Sequence, residues 1–296
     1  MAKIVFFGLG NMGRPMAHNL RKAGFEVIGH DVMPNACAMF QDEGGVIADD
    51  LPQSLSQANF VISMLPAGPH VRALYEDIIL GHVSAEAVLI DCSTIDVESA
   101  RAVADMAQQK GLDVLDAPVS GGTVGAENGT LTFMVGGAEK AFIRAREVLE
   151  AMGKNIIHAG GAGNGQAAKI CNNMMLGIQM ISVAEAFNLA EALGLDAENL
   201  FNISSTSSGQ CWSLTNYCPV PGLVPTAPSN RDYQPGFSAN MMRKDLGLAE
   251  QSALSSHVAT PLGAQALSLY KMYCAAGGGE VDFSSIIRFL RNGQTQ

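Results

Sequence analysis

Lys169 and Asn173 stand four positions apart in an unbroken helical pattern, so an ammonium and a carboxamide fall on one face of one helix. The same face carries Gln166, Ile170 and Gly177. A cation set among small and apolar neighbours is costly to bury without a task, which makes Lys169 a candidate for proton transfer; the plain alternative is a solvated lysine. Earlier in the chain, Asp116-Ala117-Pro118-Val119-Ser120-Gly121-Gly122-Thr123 follows a short apolar run. A serine hydroxyl beside two flexible glycines offers a concave set of donors suited to a carboxylate, although Ser-Gly also marks ordinary turns. Lys244-Asp245, far downstream, reads in isolation as a surface ion pair of little energetic worth.

A third group points to a larger ligand. Gly8-Leu9-Gly10-Asn11-Met12-Gly13 follows an apolar run and opens a helical pattern. The first glycine of such a motif permits a tight turn, the second lets backbone approach a pyrophosphate, and the third lets helix pack on strand. The N–H groups at the start of the helix then face the phosphates. Asp31 ends the next apolar run, eighteen residues after Gly13. A carboxylate there accepts hydrogen bonds from the adenosine ribose diol and repels a 2′-phosphate, and neither Val32 nor Met33 supplies a positive charge beside it. Two further strand ends, Leu65-Pro66 and Cys92-Ser93-Thr94, stand where ligands bind in such sheets: the first is a candidate apolar wall on the adenosine side and Thr94 a candidate on the nicotinamide side, with ordinary loop chemistry as the alternative for both.

These residues need a scaffold, and the chain has the pattern of one. Apolar runs at Ile4–Phe7, Phe25–Ile28, Phe60–Leu65, Val88–Ile90 and Val114–Leu115 alternate with helical periods such as Pro15–Ala23, Pro34–Glu43 and Val97–Lys110. That alternation predicts an α/β, doubly wound Rossmann-type domain with a parallel sheet covered on both faces. After Ile156-Ile157 the pattern changes. Glycines at 160, 161, 163 and 165 precede a helical pattern from Gln166 to Leu193, roughly 40 Å long, with Gly194 as its stop. Only helical segments follow, so the expected division is 1–162 for the dinucleotide domain and 163–296 for an all-α domain that serves substrate binding and oligomerisation. The loop from Cys211 to Gly236 is rich in Pro, Gly and Ser, and a loop of that length is usually functional.

Composition narrows the function classes. The net charge is −10 and the 18 Lys and Arg form no run, which argues against nucleic acid as a partner. No segment has the length of a membrane span, and the opening apolar run is too short for a signal-peptide core. None of the six cysteines is spaced as C-x-x-C. Reduced cysteines in a cytoplasmic protein, with no metal, are the expectation.

The motifs together resemble the β-hydroxyacid dehydrogenase family. The matching stretches are GLGNMGRPMAHNL, DAPVSGGTVGAENGTLTFMVGG, GNGQAAKICNN and RKDLGLA, and the similarity runs essentially end to end. The tail DFSSIIRFLR and the segment around SSGQCWS and DYQPGF resemble its 3-hydroxyisobutyrate branch. The resemblance implies NAD as cofactor and oxidation of 3-hydroxyisobutyrate to methylmalonate semialdehyde, a step of valine degradation. It implies Lys169 as general acid/base, Ser120, Gly121 and Gly122 as the loop for the substrate carboxylate, and Asn173 as the residue that orients the substrate. Leu65, Pro66, His70, Thr94 and Lys244 match cofactor contacts, with His70 at a position where the family often has Asn. Arg243 takes a position that is often Ala. Trp212 and Phe237 are candidates to wall the pocket against a methyl-bearing substrate, with core packing as the alternative. A homodimer or homotetramer is expected, because Met174, Met175, Gly177 and Met180 give the long helix more apolar surface than its own domain needs. The rival readings are L-serine as substrate, a glyoxylate or succinic semialdehyde reductase, and a non-catalytic NAD-binding protein. The reductases usually carry a basic residue after strand two, unlike Asp31-Val32-Met33, and a non-catalytic protein would be expected to lose Lys169 and Asn173.

Overall fold

The strand that ends in the glycine motif, β1 (Lys3–Phe7), lies between β2 (Glu26–His30) and β4 (Phe60–Ser63) and runs parallel to both. The structure, a computed structural model, describes residues 1–293. Beyond β2 lies β3 (Val46–Ile47); beyond β4 lie β5 (Val88–Asp91) and β6 (Asp113–Asp116). The order 3-2-1-4-5-6 is that of doubly wound dinucleotide folds. It reverses at β1, where the connections from β1 and β4 diverge and open a crevice at the carboxyl ends of the strands.

Ile4 and Phe6 enter one apolar layer with Met16, Leu20, Ile62 and Ile90. Val5 and Phe7 enter another with Leu55, Val61, Val71 and Leu89. Successive side chains of a strand point to opposite faces. Burial on both faces is therefore what turns the strands into continuous apolar runs in the sequence.

The parallel order expected of the whole sheet stops at β6. β8 (Leu131–Gly137) runs antiparallel to β6 and to the two-residue β7 (Val119–Ser120), while β9 (Gly153–Gly160) is parallel to β8. Between β6 and β8 the chain makes a short excursion through β7 and the helix Gly122–Asn128. The glycines that precede the long helical pattern divide between elements: Gly160 closes β9, and Gly165 already lies within the helix Asn164–Ala192.

That helix has 29 residues, about 43 Å at 1.5 Å per residue. Its end follows the left-handed glycine rule: Gly194 has φ +75° and the Leu195 N–H reaches back to the Ala190 carbonyl at 2.9 Å. The chain divides into two compact units, Met1–Lys169 and Ile170–Gln296. No strand follows Gly160 among the described residues; an isolated bridge joins Ser238 to Asp282.

The second unit is built from helices that include Ala197–Ser204, Ala239–Ser255, Pro261–Tyr273 and Ile286–Asn292. Met180, Met242, Leu246, Leu267, Tyr270 and Phe283 form one core cluster. The Cys211–Gly236 stretch contains short helices at Trp212–Thr215 and Pro228–Arg231, and it buries Leu214, Cys218, Val224, Ala227 and Tyr233 against Val183 and Phe187. Its end is tied down by the fully buried Asp282 carboxylate. That group accepts hydrogen bonds from the Tyr217 hydroxyl (2.8 Å) and the N–H groups of Gly236 (3.0 Å) and Phe237 (3.2 Å). Burial pushes the Asp282 carboxyl up, and hydrogen bonds from Ser284, Tyr217 and Phe237 pull it back.

Candidate active site

The glycine motif turns between β1 and the helix Gly13–Lys22. A Cβ on Gly13 would stand 1.8 Å from the Gly8 carbonyl oxygen, and one on Gly8 would stand 2.2 Å from that of Met64. A Cβ on Gly10 would meet nothing within 4 Å. Gly8 and Gly13 are thus dictated by packing, whereas Gly10 borders open space. No side chain caps the helix; the Arg14 N–H turns back to the Gly10 carbonyl at 3.1 Å, and the positive end of the helix faces the loop. Leu9 is buried, Met12 packs partly on the core, and Asn11 is exposed. Asp31 lies directly beside the loop: its Oδ2 accepts the Leu9 N–H at 2.6 Å and its Oδ1 the Met33 N–H at 2.8 Å. Val32 and Met33 are exposed and bring no charge. An open glycine, the uncapped start of a helix and an adjacent carboxylate fit a nicotinamide dinucleotide with a free ribose diol.

The loops after β4 and β5 are joined to one another. The Leu65 N–H donates to Ser93 Oγ at 2.8 Å. Ser93 in turn donates through Oγ to Asp91 Oδ1 at 2.6 Å, and Ser63 donates to the same oxygen at 2.7 Å. Burial pushes the Asp91 carboxyl up to about 6, against the pull of the Ser93 and Ser63 hydrogen bonds. Thr94 follows Ser93 and is partly buried; Pro66 is exposed. His70 is exposed in the first turn of the helix Gly68–Leu74.

Lys169 is buried, with 6% of its surface exposed. Its position follows from the start of its helix. Asp116, at the end of β6, accepts the Gly163 N–H on Oδ1 at 2.7 Å and the Gln166 N–H on Oδ2 at 2.9 Å. Burial pushes the Asp116 carboxyl above its usual value; the N–H groups of Gln166, Gly163 and Gly165 pull it back. The Gln166 side chain reaches the loop after β5: its Nε2 donates to the Ser93 carbonyl at 2.7 Å and its Oε1 accepts the Ile95 N–H at 3.1 Å. Ser120 lies in β7, and Gly121 and Gly122 follow with φ of +131° and +63°, conformations that favour glycine. Asp91, Asp116 and Gln166 carry no role in the sequence reading. Their signal was faint: two aspartates closing apolar runs, and a glutamine on the face of Lys169.

In the second unit Asn173 is buried, and its Nδ2 donates to Asp245 Oδ2 at 2.5 Å. The Lys244 Nζ stands 3.7 Å from Asp245 Oδ1. The pair expected at the surface lies there only by its lysine: Asp245 is buried, 4% exposed, while the Lys244 side chain is 42% exposed. Trp212, about half exposed, stacks on Tyr217, which stacks on Phe283; Phe237 meets Phe283 edge to face. Arg243 is hydrogen-bonded to Cys274, whose thiol burial raises and Arg243 pulls back. Among the described residues no cluster of His, Cys, Asp or Glu could hold a metal ion, and no helix is long and apolar enough to cross a membrane.

A doubly wound sheet whose switch-point loop is shaped for a dinucleotide defines a nicotinamide-dependent dehydrogenase. Residues 3–161 match the family model described as the NAD binding domain of 6-phosphogluconate dehydrogenase. Residues 163–290 match that described as NAD-binding of NADP-dependent 3-hydroxyisobutyrate dehydrogenase. The chain is 50% identical to the 3-hydroxyisobutyrate dehydrogenase of Pseudomonas aeruginosa, over 98% of this chain and 99% of that one. It is 47% identical, over the full length of both, to the NAD-dependent L-serine dehydrogenase of the same organism. The solved structure of Mycobacterium tuberculosis 3-hydroxyisobutyrate dehydrogenase with L-serine superposes with a TM-score of 0.95 at 48% identity, covering 98% of this chain and 99% of that one. The chain belongs to the 3-hydroxyisobutyrate dehydrogenase family.

The glycines of the motif are separable by experiment. Gly10→Ala should leave the unfolding midpoint of the cofactor-free protein within about 2 °C of the parent and weaken NAD binding at least tenfold. Gly13→Ala should lower the midpoint severely, because its Cβ has no space. Thermal unfolding and NAD titration read both; equal destabilisation by the two substitutions would show that Gly10 too is a packing residue.

Proposed function

We propose that this protein uses NAD to oxidise 3-hydroxyisobutyrate to methylmalonate semialdehyde, with Lys169 as the general acid/base. The observation that carries the reading is the burial of Lys169 on a helix whose start is fixed to the end of β6 and to the loop after β5, in the same sheet as the dinucleotide loop. The names and the end-to-end identity of the relatives support the substrate.

When bound, NAD accepts the hydride from the substrate carbon. Lys169 takes the hydroxyl proton as the carbonyl forms and returns it in the reverse direction. The Ser120 hydroxyl and the backbone N–H groups of Gly121 and Gly122 hold the substrate carboxylate. Asn173 orients the substrate: Asp245 engages its Nδ2 and leaves that nitrogen a second N–H to donate. Thr94, Leu65, Pro66, His70 and Lys244 would contact the cofactor, and Lys244 brings a positive charge that stands beside Asp245. Trp212 and Phe237 form an apolar wall for the substrate methyl. Residues 1–162 bind the cofactor; 163–296 serve substrate binding and oligomerisation.

L-serine is the second reading. A relative 47% identical over both full lengths is named for it, and a solved structure that superposes with a TM-score of 0.95 carries it. A panel of 3-hydroxyisobutyrate, L-serine, glyoxylate and succinic semialdehyde, run with both cofactors, decides. The highest kcat/KM is expected for 3-hydroxyisobutyrate with NAD, and Asp31→Ala should narrow the preference over NADP. A higher value for L-serine would replace the substrate, and better work with NADP would remove the role of Asp31.

Lys169→Ala should lower kcat by about 10²–10⁴-fold with little change in NAD affinity. Lys169→Arg should not restore it, since a guanidinium keeps its proton near neutral pH. A near-normal kcat in Lys169→Ala would assign the proton to another group.

A further inference from the structure

Gln166 is fully buried, and its carboxamide makes two hydrogen bonds to one short stretch of backbone. The groups it takes are the carbonyl before Thr94 and the N–H after it. Such a grip needs a donor and an acceptor at the two ends of one planar group, which a carboxamide supplies and a carboxylate or thioether does not. Gln166 is itself held from the other side, its own N–H donating to Asp116 Oδ2 at 2.9 Å. The gripped loop is rigid at its root. Ser93 donates to Asp91 Oδ1 through both N–H (3.3 Å) and Oγ (2.6 Å) while its Oγ accepts the Leu65 N–H.

Lys169 lies three residues further along the same helix, on the side that Gln166 occupies. A helical turn is stiff, so the distance from Gln166 to the loop fixes where Lys169 stands relative to Thr94. We propose that Gln166 is a positioning residue for the reaction: its two-point grip on the backbone around Thr94 sets the alignment of the nicotinamide-side loop with Lys169. The inference rests on the roles given to Lys169 and Thr94 above. A core-filling glutamine would need its bulk and a partner for each polar atom, but not partners on either side of one site residue. Misplacement of reacting groups by about 1 Å costs on the order of 10²-fold in rate, so the loss should appear in the chemical step.

Two variants test this. Gln166→Met keeps the length and removes both polar ends; Gln166→Asn keeps the amide, and with it a polar-compatible core, but is one methylene too short to span both groups. Hydrogen exchange in the cofactor-free protein should show the Ile95 amide opening at least tenfold faster in both variants, with the Ile90 amide of β5 unchanged. With the best substrate of the panel, kcat should fall about 10- to 100-fold while the Kd for NAD stays within about threefold. Ile95 protection equal to the parent's, or a kcat within about twofold of it, in either folded variant overturns the proposal; a lowered unfolding temperature with both retained assigns Gln166 a packing role. Failure of the substrate reading would appear instead in the parent enzyme's panel, and would leave the exchange result standing.

Discussion

A single buried carboxylate, Asp116, joins the sheet to the helix that carries Lys169. Its two oxygens take the N–H groups of Gly163 and Gln166, which the start of a helix leaves without partners. Stripping a carboxylate of water costs several kcal/mol. Hydrogen bonds to a charged acceptor return about 1.5–3 kcal/mol each, and the positive end of a helix adds up to ~2 kcal/mol in a partly buried setting. The two sides are of similar size. The Asp116 carboxyl is pushed above its usual value by burial, and the N–H groups at the helix start offset part of that push. Close approach is enforced on both sides: a Cβ on Gly165 would lie 2.3 Å from the Asp116 carbonyl oxygen, and one on Gly136 would lie 2.4 Å from Asp116 Oδ1.

From that junction the rest of the catalytic unit can be followed bond by bond. Gln166 carries the connection to Ser93 and Ile95, Ser93 carries it to Leu65, and Leu65 borders the glycine loop, within 3.2 Å of a Cβ built on Gly8. The carboxyl ends of β4, β5 and β6, with the glycine loop packed against Leu65, are therefore not separate loops that meet a ligand independently. They form one hydrogen-bonded rim, with Lys169 attached to it through a turn of helix.

How much of this was legible in the sequence depended on how local each signal is. The glycine motif and Asp31 could be read directly, because a turn, a helix start and a strand-end carboxylate declare themselves within about thirty residues. The long helix was legible to within two residues at each end, owing to unbroken periodicity and a terminal glycine. Gln166 and Asp116 were not assigned roles, because their partners lie 47 to 73 residues away and a glutamine or aspartate looks the same whether solvated or buried. Asn173 and Asp245, 72 residues apart, escaped pairing for the same reason. The antiparallel turn of the sheet was hidden because β7 has two residues and β9 is partly polar, with Lys154, Asn155 and His158 among its eight.

The central claim is that Asp116 places Lys169 for catalysis as well as holding the fold together. The direct measurement is the single-turnover rate of hydride transfer in Asp116→Asn, at saturating NAD and substrate. Asparagine keeps the shape but turns one acceptor into a donor that faces a helix N–H. A folded variant whose transfer rate falls by about 10²-fold or more, with the Kd for NAD within about threefold of the parent's, is the predicted result. A transfer rate within a few-fold of the parent's would contradict the account and leave Asp116 a residue of stability alone.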